Sequence, residues 1–300
     1  MQSFALSYRA MKMALLLGSF SLWALRVEAQ IQVELKLPRL QFIAYEPVMA
    51  TLHITNLAGR DVDLHDADGQ AWFGFEVMGS EGQPISPLKA TSEQLPLKIE
   101  AGKRVTQKIN LTPLFQVQDF GTYHVRAHIY FSDLSKFFYS QAKVFEVTDA
   151  RPIWQKTVGV PDGSGPGNAR TYSLLTNRFP DHTSLYVRVE DRDTGVVYAT
   201  YSLGRILSFG EPQAEVDQVN RLHVLHSATP RNWAYSQVGL NGELLAHSSF
   251  METKTRPRLA HAADGGVNVR GGMLEAPPAA ESARNAAPKL SERPADMPKE

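Results

Sequence analysis

From Gly121 to Phe131 the chain reads Gly-Thr-Tyr-His-Val-Arg-Ala-His-Ile-Tyr-Phe, with Tyr123, Val125, Ala127, Ile129 and Phe131 at every second position. Successive side chains on a strand point to opposite faces, so this spacing predicts a strand with one apolar face turned to a core. Asp119-Phe120-Gly121 ahead of it is turn chemistry. Tyr123 suits a ring buried at a sheet corner with its hydroxyl bonded to nearby backbone.

The same alternation recurs at 31–37, where Pro38 stops it, and at 48–55, 71–78, 104–111 and 137–147. In 71–78, Phe73, Phe75 and Val77 share one face and Trp72 takes the other. Thr112-Pro113-Leu114-Phe115 has Pro where a single helical turn would start. Short strands separated by turns, with no amphipathic helix, predict an antiparallel β-sandwich over 30–149.

Asp149-Ala150-Arg151-Pro152 reads as a domain boundary, and Pro161-Asp162-Gly163-Ser164-Gly165-Pro166-Gly167-Asn168 as a second cluster of breakers. Strands are expected again at 171–176, 184–190, 196–203, 213–217, 221–226, 233–240, 243–247 and 266–270. Asn241-Gly242 between two of them is a hairpin signal, and Asp191-Arg192-Asp193-Thr194-Gly195 a longer hairpin turn. The chain is therefore expected to be all-β, with a second antiparallel domain over 150–272, either a small sandwich or a partial propeller-like sheet. The tail at 273–300 is rich in Ala and Pro and lacks aromatic residues, so it is expected to be disordered.

Two resemblances follow from these residues. Asp119-x-Gly121-x-Tyr123 is similar to the tyrosine-corner motif of immunoglobulin-like domains. Those domains that carry an inter-sheet disulfide have cysteine two residues after the tyrosine, where this chain has Val125. The resemblance thus implies a sandwich in which an apolar contact, with Leu52 as the expected partner, replaces the bridge. Val216-Asp217-x-x-Asn220-Arg221-Leu222-His223-Val224 is echoed by Ala263-Asp264-Gly265-Gly266-Val267-Asn268-Val269 and more loosely from Asp191 to Tyr198. This pattern resembles the meander of β-propeller blades, although 150–272 is too short for a closed propeller of about four blades.

At the N-terminus, Arg9 and Lys12 precede an apolar run from Ala14 to Leu25, and Val27-Glu28-Ala29 suits signal peptidase. Residues 1–29 are read as a signal peptide, Gln30 as the mature start, and the protein as periplasmic or extracellular, with no membrane span once the signal is cleaved. Removing 1–29 leaves 28 basic against 30 acidic residues, a net charge of −2. With no dense Lys/Arg run, nucleic acid is not expected as a partner. The absence of cysteine rules out disulfides, thiolate nucleophiles and Cys-ligated zinc.

The motifs of zinc peptidases, α/β-hydrolases and NTPases are missing, and no cofactor is expected. The densest acidic cluster, Asp61, Asp63, Asp66 and Asp68, departs from the spacing of a calcium loop, and an ordinary polar loop is the preferred reading. Tyr186, Arg188 and Glu190 share one face of a strand, as Trp233 and Tyr235 do of another. Exposed, they would form a surface for a protein or glycan; buried under the first domain, they would be a domain contact, which is preferred. The expected function is non-enzymatic binding or scaffolding in a bacterial cell envelope or outside the cell. The alternative is a carbohydrate-active hydrolase using carboxylates among Glu190, Asp191, Glu215 and Asp217.

Overall fold

The computed structural model describes residues 30–88, 95–161, 168–207 and 210–275. The expected signal peptide at 1–29 lies outside them, as does all but the first three residues of the expected tail. The chain is all-β, with several antiparallel sheets and, among the described residues, a single 3-10 turn at Ser132–Leu134 as its helical element. Among the described residues no helix is long and apolar enough to cross a membrane. It divides into two compact units, residues 1–40, 48–117 and 121–146 in one, and 41–47, 118–120 and 147–300 in the other.

In the first half of the chain the strands are β1 (Ile31–Lys36), β2 (Gln41–Ile43), β3 (Met49–Asn56), β4 (Val62–Leu64), β5 (Phe73–Met78), β6 (Pro84–Ile85), β7 (Leu97–Ile99), β8 (Arg104–Asn110), β9 (Gly121–Phe131), β10 (Lys136–Tyr139) and β11 (Lys143–Thr148). In the first unit one sheet runs β1-β3-β8 and a second runs β11-β9-β5-β6, with β10 folded back on β9 and β4 paired to β7. This arrangement is consistent with a β-sandwich. The alternation read from sequence is the alternation of burial. Ala50, Leu52 and Ile54 on β3 and Val125, Ala127 and Ile129 on β9 are fully enclosed, and the residues between them are not. Full burial of each larger side chain contributes about 1.5–3 kcal/mol.

Gly121 opens β9 at φ 147°, a backbone that favours glycine, and Tyr123 is buried and stacks on Phe145 with centroids 5.3 Å apart. The turn at 111–115 closes as expected, with the Phe115 and Leu114 N–H groups both donating to Leu111 O at 3.0 Å. Segment 137–147 is two strands rather than one, because Ser140 turns the chain and donates its N–H to Ala127 O at 2.9 Å.

The rest of the second unit contains β12 (Arg151–Gly159), β13 (Ala169–Arg178), β14 (Thr183–Asp191), β15 (Val197–Ile206), β16 (Gln213–Val216), β17 (Leu222–Ser227), β18 (Asn232–Val238), β19 (Leu244–Met251), β20 (Arg258–His261), β21 (Val267–Arg270) and β22 (Met273–Leu274). They form a meander β12-β13-β14-β15, a second sheet β16-β17-β18-β19-β22, and the hairpin β20-β21. Leu174, Leu185, Val187, Val189 and Leu203 of the first sheet share one core with Leu222, Val224 and Val238 of the second. The unit is therefore two meanders with a core in common. The sheet also extends into the segment expected as tail, since Met273 and Leu274 pair with Met251 and Phe250.

Candidate functional site

The aromatic residues singled out by spacing do not form a free face. On β14, Leu185, Val187 and Val189 enter the shared core, and Tyr186 on the opposite face is fully enclosed with Ile43, Ala150 and Leu175. Arg188 donates from Nη2 to Ala44 O at 2.8 Å and from Nε to Thr200 Oγ1 at 3.2 Å, and its guanidinium lies over the Tyr45 ring. Burial holds it below the usual arginine range. Glu190, half-buried, stands opposite Thr171 on β13. Trp233 is buried and donates Nε1–H to Glu252 Oε2 at 3.0 Å, while the Tyr235 hydroxyl is 2.8 Å from His223 Nδ1. The covering of β14 by residues 41–47 and the hydrogen bonds of Trp233 and Tyr235 make these packing residues.

The acidic loop is likewise dispersed. Asp61 pairs with Lys98 at 3.2 Å, Asp66 accepts the Trp72 N–H at 2.9 Å, and Asp68 accepts the Tyr130 hydroxyl at 2.8 Å. Asp63 is exposed on β4. Among the described residues no group of three or more acidic, His or Cys side chains could hold a metal ion. Asp61, Asp66 and Asp68 are thus each engaged in a separate turn or strand contact.

The carboxylates of the second unit lock hairpins. Asp191 accepts the N–H groups of Asp193 and Thr194 at 3.0 and 2.9 Å through Oδ1, and Arg170 Nη1 at 2.8 Å through Oδ2. The Thr194 N–H is the main reason that its pKa falls below the usual carboxylate range. Asp217 does the same work at the next hairpin, accepting N–H groups from Val219 and Arg221 and side-chain contacts from Arg221 and His223. Burial alone would raise its pKa, but these donors outweigh it and the carboxyl sits low. Asp264 accepts the Gly266 N–H at 3.0 Å in the third hairpin. The sequence echo therefore marks a repeated turn. Glu215 faces His261 at 3.4 Å on the surface, and none of Glu190, Asp191, Glu215 and Asp217 lines either cavity described below.

A different group of residues converges. Hairpin β20-β21 lies beside β16, held by Leu259 N–H donating to Gln213 Oε1 at 2.8 Å and Gln218 N–H donating to Gly265 O at 3.3 Å. Each of β16 and β20 is preceded by a proline, Pro212 and Pro257, which has no N–H to leave unpaired at a strand start. Between these two starts lies a cavity of about 1060 Å³, lined among others by Glu211, Pro212, Gln213, Arg256, Arg258 and Arg270. Arg258 and Arg270 are direct cross-strand partners, so their side chains leave the hairpin on one face. Both are exposed, and among the described residues neither has a hydrogen bond or ion pair from its side chain. Arg256 is held over the Trp233 ring at 4.5 Å.

The wall is shaped by backbone. Gly271 sits at φ 81°, and a Cβ there would come within 2.7 Å of Arg256 O. Gly272 N–H donates to Thr255 O at 3.1 Å, tying the end of β21 to the loop that carries Arg256. A second cavity of about 1000 Å³ shares Gly210, Glu211 and Pro212 and adds Arg151, Trp154 and Arg178. In sequence, Arg151 belongs to the stretch read as a domain boundary. No local pattern joins arginines at 151, 178, 256, 258 and 270.

No family model matches the sequence, and no curated protein matches it. Among solved structures the chain is similar to the sporulation control protein Spo0M from Bacillus subtilis, at 9% identity, over 58% of this chain and 91% of that one. The TM-score is 0.28, too loose a likeness to bear on fold or function.

Proposed function

We propose that the protein is an exported, non-enzymatic binding protein of a bacterial envelope, with an immunoglobulin-like first unit and a ligand that carries negative charge. The observation that carries the ligand reading is the Arg258–Arg270 pair, two cations placed opposite each other at a cavity, with neither in an ion pair among the described residues. Like charges directly opposite on a hairpin are destabilising, and an anion between them reverses the sign of that interaction. Arg is also the side chain best shaped for carboxylate and phosphate oxygens.

The immunoglobulin-like reading is supported by strand order: β1-β3-β8 and β11-β9-β5 follow the A-B-E and G-F-C order of constant-type domains. Full burial of both Leu52 and Val125 supports packing in place of the bridge. Export rests on residues 1–29, and N-terminal sequencing of the chain recovered from periplasm or medium should begin at Gln30. Recovery from cytoplasm with 1–29 attached would remove that part of the proposal.

Calorimetric titration of the full mature chain with inorganic phosphate at low ionic strength tests the ligand reading. Binding should be saturable, weaken with salt, and fall at least tenfold in Arg258→Gln/Arg270→Gln. No heat of binding, or equal binding by the double variant, rejects it.

A further inference from the structure

We infer that the two cavities act as one trough for a linear, carboxylate-bearing oligosaccharide, which rests on the anion-binding reading above and extends it to a ligand class. The cavities are joined by a shared wall, Gly210-Glu211-Pro212, at the lead-in to β16. On the far side of that wall the arginine arrangement is repeated. Arg151 is the cross-strand partner of Thr176, which lies two residues from Arg178 on β13, so Arg151 and Arg178 emerge on the same face. Among the described residues neither has an ion-pair or hydrogen-bond partner for its side chain. A single phosphate would engage one group of guanidinia and leave the other empty. A chain with anionic groups at intervals engages both.

The remaining lining residues narrow the class. Among the described residues Glu211 is the one carboxylate lining either cavity; it belongs to the wall that both share and has no ion-pair partner. It would repel a ligand charged at every position and accept hydrogen bonds from one that alternates anionic and hydroxyl groups. Half-buried Pro212 supplies rigid apolar surface, the edge of Trp154 that the core leaves uncovered lines the second cavity, and Ile153 there is 43% exposed. Sugar rings with C–H faces, hydroxyls and spaced carboxylates satisfy all three features. Nucleic acid presents a phosphate at every residue and is drawn by a strongly basic field, which a mature chain of net charge −2 does not provide.

The test is calorimetric titration of the full mature chain with oligogalacturonates from monomer to octamer, with inorganic phosphate, and with a thymidylate octamer. Affinity should rise at least tenfold from monomer to a length that spans both cavities and then level off. Arg151→Gln/Arg178→Gln should abolish that length dependence, whereas Arg258→Gln/Arg270→Gln should weaken every anion, the monomer and phosphate included. Circular dichroism and Tm confirm that both variants, altered only at exposed positions, stay folded. Phosphate binding without any length dependence overturns the trough and leaves the anion site standing. Tighter binding of the thymidylate octamer than of the oligogalacturonate overturns the glycan class, and absence of binding by every anion removes both readings.

Discussion

Arg170 and Arg258 belong to the same unit and are treated in opposite ways. Arg170 is wholly enclosed, gives Nη1 to Asp191 at 2.8 Å and lies 4.3 Å over the Tyr198 ring. Arg258 is exposed, faces Arg270 across the hairpin and has no carboxylate partner among the described residues. The first arginine is consumed by the fold, since its charge is neutralised and its removal would leave Asp191 enclosed and unpaired. The second has no such partner, and a like charge directly opposite it on the hairpin is unfavourable. On the reading proposed above, a charge that the fold leaves unpaired is open to a ligand, and the variants below test that contrast.

Four variants sharpen or break that contrast. The largest loss of Tm among them is expected from Arg170→Met, which strands a buried carboxylate; a loss no greater than that of Arg258→Gln would erase the distinction. Next comes Gly271→Ala, expected near the upper end of about 1–3 kcal/mol in urea unfolding, because positive φ and the nearby Arg256 carbonyl both oppose a side chain. The same variant should weaken phosphate binding, because Gly271 shapes the cavity wall.

A third comparison sets the exposed cations against His226, which is enclosed in the second unit and whose ring nitrogens make no hydrogen bond among the described residues. Burial pushes its pKa down to about 4 from 6.5, although the Arg205 backbone nearby favours the proton slightly. The unfolded chain takes up this proton below about pH 6.5 and the folded chain does not until about 4, so stability is present above that window and is lost as pH falls through it. Between pH 7 and 5 the loss from this group is about 2 kcal/mol. His226→Leu should flatten that part of the urea-unfolding pH profile, and an unchanged slope would show that the imidazole is not the cause. The smallest effect is expected from Arg270→Gln, which should raise stability by a few tenths of a kcal/mol in the absence of ligand. A clear loss would mean that the arginine serves the fold after all.

What could be read from the sequence divides along the same line. The eight strands expected in 171–270 are all present, although burial does not alternate in each: β17 is buried throughout and β16 half-buried throughout, and these were legible from short β-rich runs bounded by turns. Strand β12 was not legible: nearly every residue faces solvent, and Pro152 sits at a register shift that an edge strand tolerates. Asn241-Gly242 did mark a hairpin, but the turn spans Gly239 to Gly242 with only the last residue at positive φ, so it is longer than the two-residue form the dipeptide suggests. The aspartates that looked like candidate chemistry proved to be turn locks, because a short carboxylate caps local N–H groups wherever the chain reverses. The arginines of the cavity left no signal, since their proximity is created by the pairing of β20 with β21 and the approach of that hairpin to β16.

The central claim is that Arg258 and Arg270 are held for an anion. It is tested most directly by Tm as a function of inorganic phosphate concentration, for the native chain and for Arg258→Gln/Arg270→Gln. A ligand that binds only the folded state raises Tm as its concentration rises. The account predicts a rising curve for the native chain and a flat one for the variant, which starts at an equal or higher Tm without phosphate. Parallel curves, or a variant that starts lower and still rises, would contradict it.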